Sequence, residues 1–532
     1  MKKITLILLA LCLSLVSTSQ SKYSKLRIWG GNEVLRSIAE AGVTVEHGIH
    51  KRDTWYVSDF SDQEIAILGK MGINYDVLID DVQAYYQSRL ESPDQQNHRS
   101  FMLGDPHFRS HRSNCGSAGG GTSFSDPSNF NLGSMGGYLT YTEFIAEIDD
   151  MAAQYPNLIT AKAPISTFQT HQGRDIYWMR ISDNPNTDET EPEILYTAIH
   201  HAREPGSLMQ LVYYMWYLLE NYGTDPEVTY LVDNTEMYFV PMINPDGYIR
   251  NEITDPNGGG MHRKNMRDNG DGSFGVDLNR NYSYQFGFSG TSNNTSADNY
   301  LGPFAFSEPE TQAIKWFAEN RNFEIAMNYH TYGNLLLHPF GYDYIQTADH
   351  TQFQEWSGWM VRDNGFSNIL SANLYPAAGD SDDWMYADDL TTKPKIMAMT
   401  PEVGSDSHGF WPATAEILPI VRGCLIQNLT AAHLLLNYGK LEDAEPYVVE
   451  TTSGHFNFDI TRLGLETGTL TVEILPVGPW VTSVGTSKTY NLSLLQGETD
   501  SITYDLDPGI AQGQEFQYVL TLSNGQTELV RD

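Results

Sequence analysis

Between residues 138 and 440 the chain alternates apolar, strand-like runs with helix-period segments, and this alternation limits the fold more than any other feature. The apolar runs are 194–199, 237–243, 323–328 and 395–400, and helical stretches such as 207–222 and 309–320 separate some of them. A sheet built this way is covered by helices on both faces, which predicts an α/β fold. Ligands of open α/β sheets bind beyond the carboxyl ends of the strands, so the residues just after each run carry information. The first run leads into His200-His201-Ala202-Arg203-Glu204 and the second into Asn244-Pro245-Asp246-Gly247. The third leads into Tyr329-His330 and the fourth into Pro401-Glu402. Imidazoles and carboxylates thus converge on one edge of the expected sheet, the arrangement a metal hydrolase needs.

The flanking regions have a different character. Residues 1–20 read as an export signal: Lys2 and Lys3, an apolar run over 4–16, then Ser17, Thr18 and Ser19. That run is shorter than the roughly 20 residues of a spanning helix. The bulky Leu11 before Cys12 speaks against a lipidated cysteine, so the mature protein is expected to be secreted or periplasmic, without membrane insertion. Residues 21–90 predict a small α/β domain with strands at 26–29, 54–57 and 75–79 and helices over 32–41 and 61–71. The second helix opens on Ser61 and Glu64, a capping box that satisfies the free backbone donors of a first turn. Residues 91–137, rich in Ser, Gly, Asn and Pro, predict a flexible linker, and short alternating runs over 445–532 predict an accessory β-sandwich.

Composition removes whole classes of function. Asp and Glu total 67 against 32 for Lys and Arg, a net charge of -35. Sequence-independent binding to nucleic acid or an anionic membrane needs the opposite balance. Three cysteines cannot build a disulfide framework; Cys12 leaves with the signal, and sequence does not settle whether Cys115 and Cys424 pair.

His201 and Glu204 lie three positions apart on a strand-to-helix turn, with Pro205 suited to the first helical position. This spacing lets one imidazole and one carboxylate grip the same ion, and His330 can supply a third ligand. Two His and one Glu with an open fourth position form a catalytic zinc site. His200 is a competing ligand, but His201 has the His-x-x-Glu spacing.

Residues 138–440 resemble the zinc metallocarboxypeptidases of the A/B type, the group of the pancreatic enzymes and bacterial carboxypeptidase T. The resemblance rests on His201-Ala202-Arg203-Glu204, Asn244 to Tyr248, Arg263-Lys264, Gly275 to Asn281, His330-Thr331-Tyr332, Leu374 to Trp384 and Glu402, in the family's order. It implies a mixed-sheet α/β/α catalytic domain with one Zn²⁺ per chain held by His201, Glu204 and His330. It further implies Glu402 as general base, Arg263 as oxyanion stabiliser, and Asn279, Arg280 and Tyr375 as the clamp on the substrate's terminal carboxylate. Asp277 would orient a ligating imidazole, and Arg203 would touch a residue upstream of the cleaved bond. Asp382 falls where B-type enzymes hold an acid for a terminal Lys or Arg, whereas Asp380 replaces the glycine usual in animal enzymes. A basic preference with some apolar tolerance is therefore expected.

The expected protein is a secreted monomer acting on peptide or protein C-termini. Its 21–90 domain resembles the family's propeptides, with Arg109 and Arg112 as cleavage points for an activating protease. Two other functions are a zinc amidase on cell-wall peptides or acyl-amino acids, and a non-catalytic surface-binding protein. The G-x-G-x-x-G match at 270–275 lacks a preceding strand and a following helix, and Asp268 to Asp271 lacks the length and distal Glu of an EF-hand. Neither G-x-S-x-G nor H-E-x-x-H occurs.

Overall fold

The computed structural model describes residues 21–45, 48–51, 53–91, 108–109, 123–446 and 448–531; the expected export signal, Cys115 and Arg112 lie outside them. An eight-stranded mixed sheet forms the centre. Its four middle strands, Glu236–Val240, Glu193–Ala198, Phe323–Tyr329 and Met397–Glu402, run parallel. Asp175–Ile181 and Ala163–Gln169 extend one side antiparallel, while Leu335–His338 and Ser367–Leu370 complete the other. Glu193–Ala198 is buried at every position, which is why its sequence is a continuous apolar run rather than an alternation. Helix Pro205–Asn221 is buried from Pro205 to Leu219 and so is apolar nearly all round.

Residues 23–79 form an antiparallel four-stranded sheet with two helices, and the Ser61–Glu64 capping box is present. This unit leans on the catalytic domain. The buried Tyr86 hydroxyl donates to Asp59 (2.6 Å) and accepts from Phe410 N–H (3.3 Å). The Arg89 guanidinium donates to the carbonyls of Ser407, His408 and Trp411 at 2.9–3.2 Å.

Two boundaries differ from the sequence expectation. Residues 123–137 are not exposed linker: Phe124 and Met135 are buried, and Asp126 accepts hydrogen bonds from Tyr213 and Arg422. The segment's polar composition hides this, because a few apolar side chains suffice to anchor it. The C-terminal sandwich of two antiparallel four-stranded sheets begins at Gly439–Asp443, which pairs with Ser453–Arg462, rather than at 445. Its core is continuous with the catalytic core, and Trp356 and Trp359 donate across the junction to Leu463 O and Tyr438 Oη, both at 2.8 Å. Among the described residues no helix is long and apolar enough to cross a membrane.

Candidate active site

Because the four middle strands are parallel, their carboxyl ends share one edge, and His201, His330 and Glu402 come at or just after those ends. Strand Glu193–Ala198 leaves through Ile199, whose φ of 55° is left-handed. That conformation is strained for a β-branched residue. It leads into His200 and His201. Pro205 opens the next helix, and Glu204 occupies its N-cap without capping it. The Glu204 carboxylate is instead used in the site: Oε1 lies 2.8 Å from His201 Nδ1, and Oε2 lies 2.9 Å from His330 Nδ1 and accepts from Thr331 N–H at 3.2 Å. One ligand atom from each of His201, Glu204 and His330 falls within 4.8 Å of the others, and all three residues are buried.

This donor set suits zinc. Burial works against a charge on Glu204, but the His201 and His330 imidazoles outweigh it and hold the carboxyl well below its usual range. Burial also pushes His330 down to about 4, so it is a neutral imidazole at pH 7. An ionised carboxylate and a neutral imidazole are the forms that bind metal. Burial and Arg263 act against a charge on His201, but Glu204 and Asp277 outweigh them and hold it above its usual range, so it must give up a proton to join these forms. His201 is turned by Asp277, whose Oδ1 lies 3.1 Å from Nε2, as expected for an outer partner of a ligating histidine. Asp277 also has a second role that the sequence does not disclose. Its Oδ2 accepts from Nε (3.0 Å) and Nη2 (2.7 Å) of Arg263, so one carboxylate fixes both groups.

A cleft of about 490 Å³ opens beside His201 and His330. His201, Asn279, Arg280, His330, Tyr375 and Glu402 line it together with Asp380 and Asp382. Arg280 donates to Tyr375 Oη (2.6 Å), and Asn279 Oδ1 accepts from Ser381 N–H (2.9 Å). Arg263 and Arg203 lie outside this lining. Arg203 is ion-paired with Asp298 (3.0 Å) and covers the Phe410 ring at 4.3 Å. Asp298 also accepts from Tyr23 Oη (2.8 Å), so a side chain of the N-terminal unit reaches this pair.

The cleft lining includes a buried carboxylate. Asp382 accepts from Asn328 Nδ2 (2.7 Å) and Thr400 Oγ1 (2.8 Å), and burial, reinforced by Asp380, pushes it up to about 7. Burial likewise raises Asp380 to about 6. Asn328 and Thr400 were not legible in the sequence, since each is an ordinary strand residue until the fold turns it toward Asp382. Asp246 is absent from the cleft: it accepts from Arg174 (2.6 Å) and Thr170 (2.8 Å), while Asn244 caps its own helix through Gly247 N–H. The 268–275 stretch is a turn closed by an Asp268–Phe274 bridge, as its lack of a flanking strand and helix implies.

Parallel central strands ending in a buried His–Glu–His trio beside a cleft define a metal-dependent hydrolase. Residues 144–425 match the zinc carboxypeptidase family model, and the chain belongs to that family. It is a hydrolase and exopeptidase that uses one zinc and acts on peptide or protein C-termini. A zinc carboxypeptidase of Saccharothrix mutabilis subsp. capreolus is 30% identical over 59% of this chain and 72% of its own length. Carboxypeptidase A2 of Mus musculus is 30% identical over 68% of this chain and 78% of its own. The solved carboxypeptidase A of Helicoverpa armigera superposes with a TM-score of 0.59 at 20% identity, covering 78% of this chain and 98% of that one.

Proposed function

We propose that the protein is an exported carboxypeptidase that removes a terminal Lys or Arg, with some tolerance for apolar residues. The observation that carries this reading is Asp382, a buried carboxylate in the lining of the cleft that also holds Arg280, Tyr375 and Glu402. A terminal ammonium or guanidinium entering the cleft pairs with that carboxylate, whereas an apolar side chain leaves it buried without a countercharge. Asp380 beside it adds negative charge, and its raised ionisation range is compatible with accepting apolar residues when the pair is protonated.

In this reading His201, Glu204 and His330 hold the zinc. When bound, zinc lowers the pKa of a water and polarises the scissile carbonyl. Arg280 grips the substrate's terminal carboxylate through its planar fork, aided by Asn279 and Tyr375, and sets the scissile bond beside Glu402. The Glu402 carboxylate takes a proton from the attacking water and passes it to the leaving amine. Arg263, held rigid by Asp277, stabilises negative charge developing on the carbonyl oxygen. Arg203 contacts the substrate upstream of the cleaved bond.

The N-terminal unit acts as a propeptide, and Tyr23 on the Asp298–Arg203 pair supports this, because it occupies groups a substrate would meet. Export rests on residues 1–20 of the sequence, and the protein acts as a monomer outside the cytoplasm. The test is a terminal-residue profile on protein cleaved between residues 91 and 122, with zinc measured on the same sample. Faster release of Lys and Arg than of Leu and Phe, and higher activity after cleavage, are expected. Equal release, or no gain on cleavage, contradicts the preference or the propeptide role respectively.

A further inference from the structure

His201 and His330 are supported unequally. His201 has the Asp277 carboxylate 3.1 Å from its second nitrogen, the usual restraint on a metal-bound imidazole. His330 has no such acceptor among the described residues: its Nε2 faces the amide nitrogen of Asn279 at 3.5 Å. Asn279 cannot turn its oxygen there without losing the bond from Ser381 N–H (2.9 Å). If Nδ1 of His330 binds the ion, Nε2 carries the hydrogen and meets another donor. No hydrogen bond among the described residues then fixes the plane of this ring.

The rings that touch it are those of His201, tilted at 57° with centroids 4.6 Å apart, and His200. Its imidazole lies nearly parallel to that of His330, with centroids 5.4 Å apart and planes at 16°, an offset stack. His200 is fully buried, and its Nε2 lies 3.0 Å from Tyr282 Oη. Its Nδ1 makes no hydrogen bond among the described residues, an arrangement that costs free energy in a buried polar ring. Tyr282 is itself clamped between Trp384 (5.6 Å, 33°) and Phe306 (5.6 Å, 78°). Trp384 belongs to helix Ser381–Ala387, which carries Asp382.

We infer that His200, held by Tyr282, is a positioning residue that sets the ring plane of His330 by stacking in place of the missing hydrogen bond. The inference rests on His330 being a zinc ligand. It makes His200, which binds no metal itself, part of the scaffold of the metal site. The stack adds rigidity to the one ligand ring whose second nitrogen meets no acceptor among the described residues.

The test uses the full chain loaded with cobalt, whose visible bands report ligand geometry, and zinc affinity measured by competition with a chelator. His200→Ala is expected to shift or broaden the cobalt bands and weaken zinc binding about 10-fold, the scale seen when an outer support of a ligand is removed. His200→Phe, which keeps a flat ring but, like Tyr282→Phe, lacks the bond to its partner, is expected to recover both in part, to about the level of Tyr282→Phe. Tyr282→Phe keeps the packing and loses only the bond to His200, so a smaller shift in the same direction is expected. This milder variant keeps the inference testable if His200→Ala does not fold. Unchanged bands and affinity in His200→Ala, no recovery in His200→Phe, or an unaltered spectrum in Tyr282→Phe would each overturn the inference. Wild-type protein that takes up no cobalt would overturn it differently, by removing the ligand assignment beneath it.

Discussion

His330 and Glu402 sit side by side across a parallel β-bridge: His330 N–H donates to Pro401 O and Val403 N–H to His330 O, both at 2.9 Å. Two residues from distant parts of the chain are therefore held at a fixed separation by backbone bonds rather than by their side chains. A proposed ligand and a proposed base share one rigid ladder. Replacing the Glu402 side chain leaves that ladder intact. Glu402→Gln is expected to lower kcat by about 10²–10⁴-fold, the usual contribution of a positioned general base, with zinc content and Tm unchanged. Metal analysis and steady-state kinetics on one preparation check this, and surviving turnover contradicts the base assignment.

Glu204 touches both histidines, so Glu204→Ala is expected to lose zinc as well as turnover. Without the carboxylate, two buried imidazoles remain next to each other, His330 Nδ1 lying 3.0 Å from His201 Nδ1. Stoichiometric zinc in the variant, measured after dialysis, would contradict the ligand set.

Terminal preference should depend on pH through Asp382. Its carboxyl is pushed up to about 7 by burial, so it is neutral at pH 5.5 and ionised at pH 8.5. The ratio of kcat/KM for a C-terminal Lys to that for Leu is expected to rise about tenfold or more across this range. The ratio cancels titration of groups common to both substrates. Asp382→Asn should flatten the dependence.

Glu310 makes a stability prediction away from the cleft. It is fully buried, and burial, with the neighbouring Glu308, pushes its carboxyl to about 7. A carboxyl whose folded pKa is raised binds its proton more tightly when folded. Its ionisation cost is absent at low pH and grows as pH rises from its ordinary value through 7. Glu310→Gln is therefore expected to gain on wild type by on the order of 1 kcal/mol between pH 5 and pH 8. Thermal unfolding at both pH values measures it, and a pH-independent difference contradicts it.

The junction with the C-terminal sandwich should be structural. Trp356→Phe removes the donor to Leu463 O and leaves that buried carbonyl without it, a loss of about 1–3 kcal/mol. A lower Tm with unchanged kcat/KM is expected.

Much of the site was legible because local rules dictated it. Continuous apolar runs marked buried parallel strands, and a parallel strand's end is where a ligand-binding residue follows. His201, Glu204, His330 and Glu402 stand at the ends of such runs, whereas Arg280 and Tyr375 were named through the family resemblance alone, and the fold brings five of the six into the lining of one cleft. The Ser61 and Thr140 capping boxes were legible for the same reason, since each involves residues only three apart.

Other features depend on which distant residues meet. Nothing near Asp277 in the chain says that it holds both His201 and Arg263, and nothing near Asn328 or Thr400 says that they receive Asp382. The same holds for residues 123–137, which composition marks as linker and long-range packing makes part of the core. Hydrophobic period and helix caps are set within a few residues, so the chain alone determined the elements and their chemistry-bearing ends. Hydrogen-bond partners across strands, ring stacks and burial arise only when the sheet closes, so the tertiary structure decided the protonation of Asp382, the support of each histidine and the place of each domain edge.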